Sequence, residues 1–174
     1  MAPTGRAAKR LAVASHMDAD TIHKALEAEK REDGGTVFSR DESDPLEEDL
    51  IIVDEASLMD ISLFYHLLSA LKEDARLILF GDVDQLPPVG PGTPLKSIIA
   101  WEKVPVTRLK HIFRQKEGSG IIENAALIRE GNMCVPDEGG EFKILPVWSE
   151  EEAFDTVISL CRSLHYGEGK EKMA

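Results

Sequence analysis

The sequence predicts an α/β fold in which a parallel β-sheet is flanked by helices. Two short apolar runs stand out. LIIVD at 50–54 ends in acidic residues, and RLILF at 76–80 is followed by a glycine and an acidic residue. Strands with few polar side chains are typical of the centre of a parallel sheet, where helices cover both faces. Helical patterns alternate with the strand-like runs along the chain, which favours parallel connections.

The N-terminal part of the chain predicts two helices and one short strand. Thr4 is a candidate N-cap for a helix over RAAKRLAVA, a segment rich in good helix formers. The dipeptide at 20–21 provides a cap for a second helix that extends to about Glu29. The stretch 30–49 is polar and acidic, so we expect a surface loop around a single strand at 36–38.

The central part predicts alternating strands and helices. In order, they are a strand at 50–54, a helix at 61–72, a strand at 76–80, a helix at 94–101 and a strand at 104–109. Asp60 is the expected cap of the first helix, whose apolar residues recur at helical spacing. Thr93 followed by Pro94 is a strong start signal for the second helix.

The C-terminal part predicts a helix at 119–130 closed by Gly131, a strand at 142–147 and a last helix that runs to about Leu164. SEEE at 149–152 matches a capping box. Residues 1–165 are expected to form one domain, and residues 166–174 a flexible tail.

The composition is that of a globular protein with an acidic excess. Hydrophobic residues make up 43% and charged residues 30%, and the net charge is −12. No run approaches the roughly 20 apolar residues of a membrane span, and no signal peptide is recognisable, so we expect a cytoplasmic protein without membrane association. Cys134 and Cys161 fit two reduced thiols. The acidic charge disfavours a protein that coats nucleic acid, although a few placed basic residues can still hold a strand.

Asp54 and Glu55 directly follow the first apolar strand. Open α/β sheets bind ligands at the carboxyl ends of their strands. An aspartate there can hold Mg²⁺, which binds few protein carboxylates and keeps phosphate oxygens as further ligands. The adjacent glutamate can orient and deprotonate an attacking water. The alternative interpretation is an ordinary acidic loop after a strand.

The loop GDVDQLPPVGPG at 81–92 follows the second apolar strand. Its glycines and prolines restrict the backbone to a defined path. Gln85 carries an amide that both donates and accepts hydrogen bonds, which suits a group that senses a γ-phosphate or its attacking water. A loop of this composition favours a functional role over a plain connection.

Two segments with basic residues complete the candidate site. Arg114 has the planar guanidinium that stabilises phosphoryl charge, although a single arginine is more often an ion-pair residue. In PTGRAAKR at 3–10, a hydroxyl, helix-start amides and basic side chains together suit contacts to a phosphate backbone. A solvated basic helical turn is the alternative. His23 and His111 have no partners at metal-ligand spacing.

In this order, the segments resemble the motifs of the superfamily 1 DNA helicases of the RecD type, the family of the exodeoxyribonuclease V alpha subunit. APTGRAAKRL is similar to motif Ia, and DTIH to the DNA-contacting segment that follows it. IIVDEAS resembles the Walker B motif, GDVDQLPPVGPG resembles motif III, and IFRQ resembles motif IV. The similarity spans residues 2 to about 130, and motif III is its most specific part.

The resemblance implies a RecA-like P-loop NTPase fold and an ATP-driven motor that translocates on single-stranded DNA, 5′ to 3′, in recombination and repair. ATP and Mg²⁺ are the implied cofactors, with Mg²⁺ at Asp54, water activation by Glu55, and γ-phosphate contacts from Gln85 and Arg114. The residues implied on the nucleic-acid side are Pro3, Thr4, Arg6 and His23. The implied partners are single-stranded or duplex DNA and nuclease–helicase subunits.

The sequence departs from the family pattern in two respects, one of which is that the later motifs of the second domain, with another arginine, have no counterpart after residue 130. It also contains no GxxxxGK[ST] loop, whose lysine and backbone amides cradle the phosphates. We therefore expect a partial RecA-like fold without its first strand and P-loop, a fragment that binds ATP weakly and does not hydrolyse it. An unpaired sheet edge would then favour self-association.

Two other interpretations remain open. A related superfamily 1 motor, of the relaxase type or directed to RNA, carries similar motifs. A non-catalytic remnant that docks on a partner nuclease or on DNA would fold and would leave ATP intact. Recovery of ATPase activity on joining the missing segments distinguishes a motor from such a remnant.

Overall fold

The computed structural model describes residues 1–32, 34–109, 119–136, 140 and 142–166, with side chains described up to residue 163 in the last helix. The chain divides into two compact units, residues 1–109 and residues 110–174. The predicted domain at 1–165 stays a prediction. Most of the predicted tail at 166–174 lies outside the described residues.

The first unit contains four helices, four strands and one 3₁₀ turn among its described residues. In order they are α1 (Gly5–Ser15), α2 (Ile22–Ala25), β1 (Ala28–Lys30), β2 (Thr36–Phe38), β3 (Leu50–Val53), a 3₁₀ turn (Ala56–Leu58), α3 (Ile61–Ser69), β4 (Arg76–Leu79) and α4 (Pro94–Trp101). The second unit contains α5 (Gly120–Arg129) and α6 (Glu150–Tyr166). The predicted α/β class is confirmed.

The main sheet consists of parallel segments. β3 pairs with β4 in parallel, with Ile51 opposite Leu77. On the other side of β3, the Met1 ammonium donates to the Ile52 carbonyl at 2.7 Å, and the Asp54 amide donates to the Met1 carbonyl at 3.0 Å. A parallel bridge then joins Ala2 to Thr21. The order of segments across the sheet is therefore 20–22, 1–2, β3 and β4, and all four segments are parallel.

One face of this sheet packs against α3. Ile51 and Val53 from β3 are buried with a set of α3 side chains. These helix residues are Leu63, Phe64 and Leu67. On the opposite face, alternate strand residues are between 38% and 51% exposed. They are Leu50, Ile52, Ile78 and Phe80, and we call them the outer sheet face.

Side-chain caps start the helices where the sequence predicts them. The Thr4 hydroxyl accepts from the Ala7 amide at 3.3 Å, and the Thr21 hydroxyl accepts from the Lys24 amide at 3.1 Å. The Asp60 carboxylate accepts from the Leu63 amide at 2.8 Å. The Ser149 hydroxyl likewise accepts from the Glu152 amide at 3.1 Å at the start of α6. Each cap satisfies an amide that the helix itself leaves unpaired.

The predicted helix that extends to Glu29 is wrong, because α2 ends at Ala25. Glu27 has a left-handed backbone with φ of 53°, which terminates the helix. The chain then enters β1, which pairs antiparallel with β2. Arg40 fixes this turn, since its guanidinium binds the Glu27 carboxylate at 2.9 Å.

The strands predicted at 104–109 and 142–147 are also wrong, because both segments are irregular. No described strand lies beside either of them to complete a hydrogen-bonded ladder. Val104, Val106 and Leu109 are exposed instead. Apolar composition alone therefore does not make a strand when a pairing neighbour is absent. Within the described part of the chain, no helix is long and apolar enough to cross a membrane.

Candidate functional site

The candidate residues lie at one edge of the main sheet. Because its segments are parallel, their carboxyl ends meet at the same edge. Thr4 follows the paired residues 1–2, and His23 follows the paired residues 20–22. Asp54 follows β3, and the loop that holds Gln85 follows β4. The sequence-predicted residues of four separate segments are thus brought to a common edge.

The Asp54–Glu55 turn has a strained backbone. Glu55 adopts φ of 53° and ψ of 37°, a left-handed conformation that costs a residue with a side chain roughly 1–2 kcal/mol. The Asp54 carboxylate accepts from the Glu55 amide at 2.9 Å. The next amide, of Ala56, donates to the Phe80 carbonyl at 2.7 Å at the end of β4. This turn therefore ties both acidic residues to the beginning of the 81–92 loop.

Asp54 and Glu55 are both half-buried, which leaves their carboxylates partly accessible. Burial lowers the pKa of the nearby Met1 ammonium below its ordinary value, and the negative charges of Asp54 and Asp20 oppose that shift. No group of three metal-ligating side chains occurs among the residues that the structure describes. A single accessible aspartate still fits Mg²⁺, which takes few protein carboxylates when phosphate oxygens complete its shell.

The 81–92 loop begins in close contact with the 3₁₀ turn. A side chain at Gly81 would meet Leu95 Cδ2 at 2.6 Å and the Ser57 amide nitrogen at 2.8 Å, so only glycine fits there. The Asp82 carboxylate accepts from the Asp84 amide at 3.0 Å and from Gln85 Nε2 at 3.5 Å. Gln85 is thus exposed but held by Asp82, a contact that the sequence did not reveal.

The same loop ends on the first turn of α3. The Pro91 carbonyl accepts from the Ile61 amide at 2.9 Å. Gly90 lies so close to Asp60 that a methyl group would overlap its carboxylate. Gly92 has φ of 84° and also packs on Ile61. The two glycines therefore anchor the loop at the cap of α3.

The N-terminal candidates surround the start of α1. Thr4 and Arg6 are exposed, and Pro3 is half-buried. The Thr4 hydroxyl accepts the cap hydrogen bond from Ala7, and its own proton stays available for an outside acceptor. The Gly5 and Arg6 amides precede the first hydrogen bond of the helix, from Ala8 to Thr4, so this end carries partial positive charge. Its chemistry fits an anionic oxygen.

His23 lies in the first turn of α2 and is exposed. Its ring contacts the Phe38 ring with centroids 5.8 Å apart. Sequence reasoning missed Phe38, since only the β1–β2 hairpin brings it to His23. Arg114 lies outside the described residues, so its predicted role stays a prediction.

Comparison with known proteins relates this chain to helicases. A family model of AAA domains matches residues 1–137. The ATP-dependent RecD2 DNA helicase of Deinococcus radiodurans is 39% identical over 124 residues, which cover 71% of this chain and 16% of that protein. The RecBCD enzyme subunit RecD of Mycolicibacterium smegmatis is 32% identical over 161 residues, which cover 80% of this chain and 28% of that protein. The chain therefore spans less than a third of either relative.

Proposed function

The chain belongs to the AAA domain family as a RecD-like member with the α/β fold of RecA-type P-loop NTPases, and from this we propose that it is part of the first motor domain of an ATP-dependent DNA helicase. The observation that carries the proposal is the convergence of four segments at one edge of a parallel sheet. These segments are 3–6, 20–23, 54–55 and 81–85.

The nucleotide side comprises the turn after β3 and the loop after β4. Asp54 would hold Mg²⁺, and Glu55 would orient and deprotonate the attacking water. Gln85, held by Asp82, would sense the γ-phosphate. Arg114 would stabilise phosphoryl charge as a finger. Bound Mg²⁺ would supply charge neutralisation at the phosphates.

The nucleic-acid side comprises the starts of α1 and α2. The Thr4 hydroxyl and the first amides of α1 suit a phosphate oxygen, and Arg6 adds an exposed positive charge. Pro3 fixes the backbone before the cap, and His23 presents its ring from the next segment. We expect single-stranded DNA as the ligand, with movement 5′ to 3′ in recombination and repair in the cytoplasm. Nuclease–helicase subunits are the expected partners, since several relatives are RecBCD subunits.

The two elements of the nucleotide side are connected to each other by hydrogen bonds. The Ala56 amide donates to the carbonyl of Phe80, the residue after β4, and the Asp82 amide donates to the Ser57 hydroxyl at 3.4 Å. A change in the position of Asp54 or Glu55 on nucleotide binding therefore reaches the Gln85 loop within a few residues. The Asp54 amide also donates to the Met1 carbonyl at 3.0 Å, which ties the same turn to the segment that leads into Thr4 on the nucleic-acid side. A motor needs such a link between its nucleotide state and its grip on DNA.

A chimaera tests the proposal. Residues 2–130 of this chain would replace the matching segment of the Deinococcus radiodurans RecD2 helicase, which supplies the phosphate loop and the remaining domains. We expect ATPase activity that single-stranded DNA stimulates and that Glu55→Gln lowers by about 10²-fold or more, as for loss of a catalytic base. Glu73→Gln, which changes an exposed glutamate after α3, is the matched control.

The isolated 174-residue chain is expected to leave Mg-ATP intact, because it contains no phosphate-cradling loop. Turnover by the isolated chain that depends on Glu55 would contradict that expectation. A folded chimaera without DNA-stimulated ATPase would contradict the motor function and favour a docking module.

A further inference from the structure

Four aromatic rings form a continuous row on the first unit. The Phe38 ring lies 5.8 Å from that of His23 and 4.4 Å from that of His66, measured between centroids. The Tyr65 ring continues the row at 5.3 Å from His66, in an edge-to-face arrangement. We call these four residues the ring row. Its members come from α2, β2 and α3, so only the tertiary fold assembles it.

The row is anchored in its middle and open at its ends. Phe38 is half-buried and packs against the main core, and His66 is half-buried beside it. His23 is exposed at one end, and Tyr65 is 63% exposed at the other. The edge-to-face contact with His66 leaves at least one face of the Tyr65 ring to solvent. Rigid rings with accessible faces are therefore presented at the surface.

We propose that the ring row is a base-stacking strip for single-stranded DNA. The inference rests on the proposed DNA function, which places phosphates near Thr4 and Arg6 but assigns no contact to the bases. His23 connects the two regions, because it follows the 20–22 segment that pairs directly with residues 1–2. The strip would accept any base, since every base has a π-face and stacking needs no hydrogen-bond code.

In this proposal, basic side chains at the starts of α1 and α2 contact the phosphates, and the ring row contacts the bases. Lys24 directly follows His23 in α2, and Arg6 lies in the first turn of α1; both side chains are exposed. Lys24 pairs with Asp20 at 2.8 Å, so Arg6 supplies the stronger phosphate contact. Stacking and phosphate binding then act on different parts of the same ligand, which allows an experiment to separate them.

The experiment measures binding of the full 174-residue chain to fluorescent oligo-dT and to an abasic oligonucleotide of equal length, by anisotropy over a salt series. Tyr65→Ala should weaken oligo-dT binding roughly fivefold or more and leave abasic binding unchanged. Tyr65→Phe should restore the affinity for oligo-dT. Leu68→Ala is the control on the same helix, where Leu68 is also exposed.

The salt series distinguishes stacking from phosphate contact. Arg6→Gln should weaken binding of both oligonucleotides and reduce the salt slope by about 0.7, the value for one single-strand phosphate contact. Tyr65→Ala should leave that slope unchanged. If Tyr65→Ala weakens binding of both oligonucleotides equally, or of neither, the ring row is not a base-stacking strip, although the chain still binds DNA. If the unaltered chain binds neither oligonucleotide, the DNA proposal itself fails, and the strip fails with it.

Discussion

At the scale of single residues, Glu55 carries both candidate chemistry and backbone strain. Four residues other than glycine have positive φ in the described part of the chain, and three of them lie at helix ends. His16 and Glu102 directly follow α1 and α4, and Glu27 lies two residues beyond the end of α2. Glu55 differs because it lies between a strand and a 3₁₀ turn. Strain held by its surroundings is frequent where a side chain must be aimed for function.

Substitutions at Glu55 should separate strain from chemistry. Glu55→Gly should leave the free energy of unfolding unchanged or raise it by up to about 1 kcal/mol, because glycine tolerates positive φ. Glu55→Val should lower it by about 1–2 kcal/mol, since a β-branched residue resists this conformation. Urea denaturation followed by circular dichroism measures both. Equal losses for the two variants would show that the side chain, not the backbone, matters for stability.

At the scale of elements, glycines anchor the 81–92 loop on α3. Gly90 faces the Asp60 carboxylate that caps α3, and the Pro91 carbonyl binds the Ile61 amide. The loop and the helix start therefore share their contacts. Neither can be altered at this point without disturbing the other.

Gly90→Ala should lower the free energy of unfolding by about 1–3 kcal/mol, because the added methyl overlaps Asp60 and displaces its cap. Gly5→Ala is the matched control. A methyl at Gly5 meets nothing within 4 Å, and alanine favours the first turn of α1. Thermal denaturation compares the two variants. A Gly90→Ala protein as stable as the Gly5→Ala protein would contradict the close contact.

In the second unit, buried Asn124 fixes the segment after α5. Its amide nitrogen donates to the carbonyls of Gly120 and Val135 at 2.8 and 2.7 Å, and its oxygen accepts from the Val135 amide at 2.6 Å. Asn124→Ala should lower the free energy of unfolding by about 2–3 kcal/mol, because it removes three hydrogen bonds, two of them to the partly buried Val135 backbone. Hydrogen exchange at the Val135 amide measures the loss. Asn132→Ala removes one exposed hydrogen bond to Glu130, and should change the free energy of unfolding by no more than about 0.5 kcal/mol.

At the scale of the whole molecule, the described structure exposes apolar sheet surface. The Arg76 and Phe80 amides donate to carbonyls of the β3 segment. Because backbone groups alternate in direction along a strand, those of Leu77 and Leu79 point to the outer edge of β4. No described strand pairs with that edge. The adjacent outer sheet face adds apolar side chains. Unpaired edges of this kind promote association between chains.

Self-association of the isolated chain is therefore expected. Ile78→Lys places a charge on the outer sheet face within the edge strand, and should weaken association about tenfold or more. Ser62→Lys adds the same charge at an exposed position on α3 and serves as the control. Sedimentation equilibrium over a wide concentration range measures both. A strictly monomeric unaltered chain would contradict the expectation.

Local sequence signals predicted much of this structure. The caps at Thr4, Thr21 and Asp60 were predictable because capping depends on a few neighbouring residues. Strands β3 and β4 were predictable because their apolar runs are bounded by acids and turns. The placement of the candidate residues at one edge followed from parallel pairing alone.

Long-range contacts explain what the sequence did not predict. β1 depends on the left-handed turn at Glu27 and on pairing with β2, and neither is visible in local propensity. The segment 104–109 has strand composition but no neighbour. The ring row and the Gly90–Asp60 contact join residues that are distant in sequence, so one sequence read alone does not bring them together.

The hydrogen bond from the Ile61 amide to the Pro91 carbonyl gives this chain a built-in reporter. Ile61 opens α3, where no earlier helical carbonyl could protect its amide. Deuterium uptake at this one amide therefore records each detachment of the 81–92 loop, while the next helical turn stays protected. Motion of the loop that carries Gln85 can thus be timed without a dye or an introduced label.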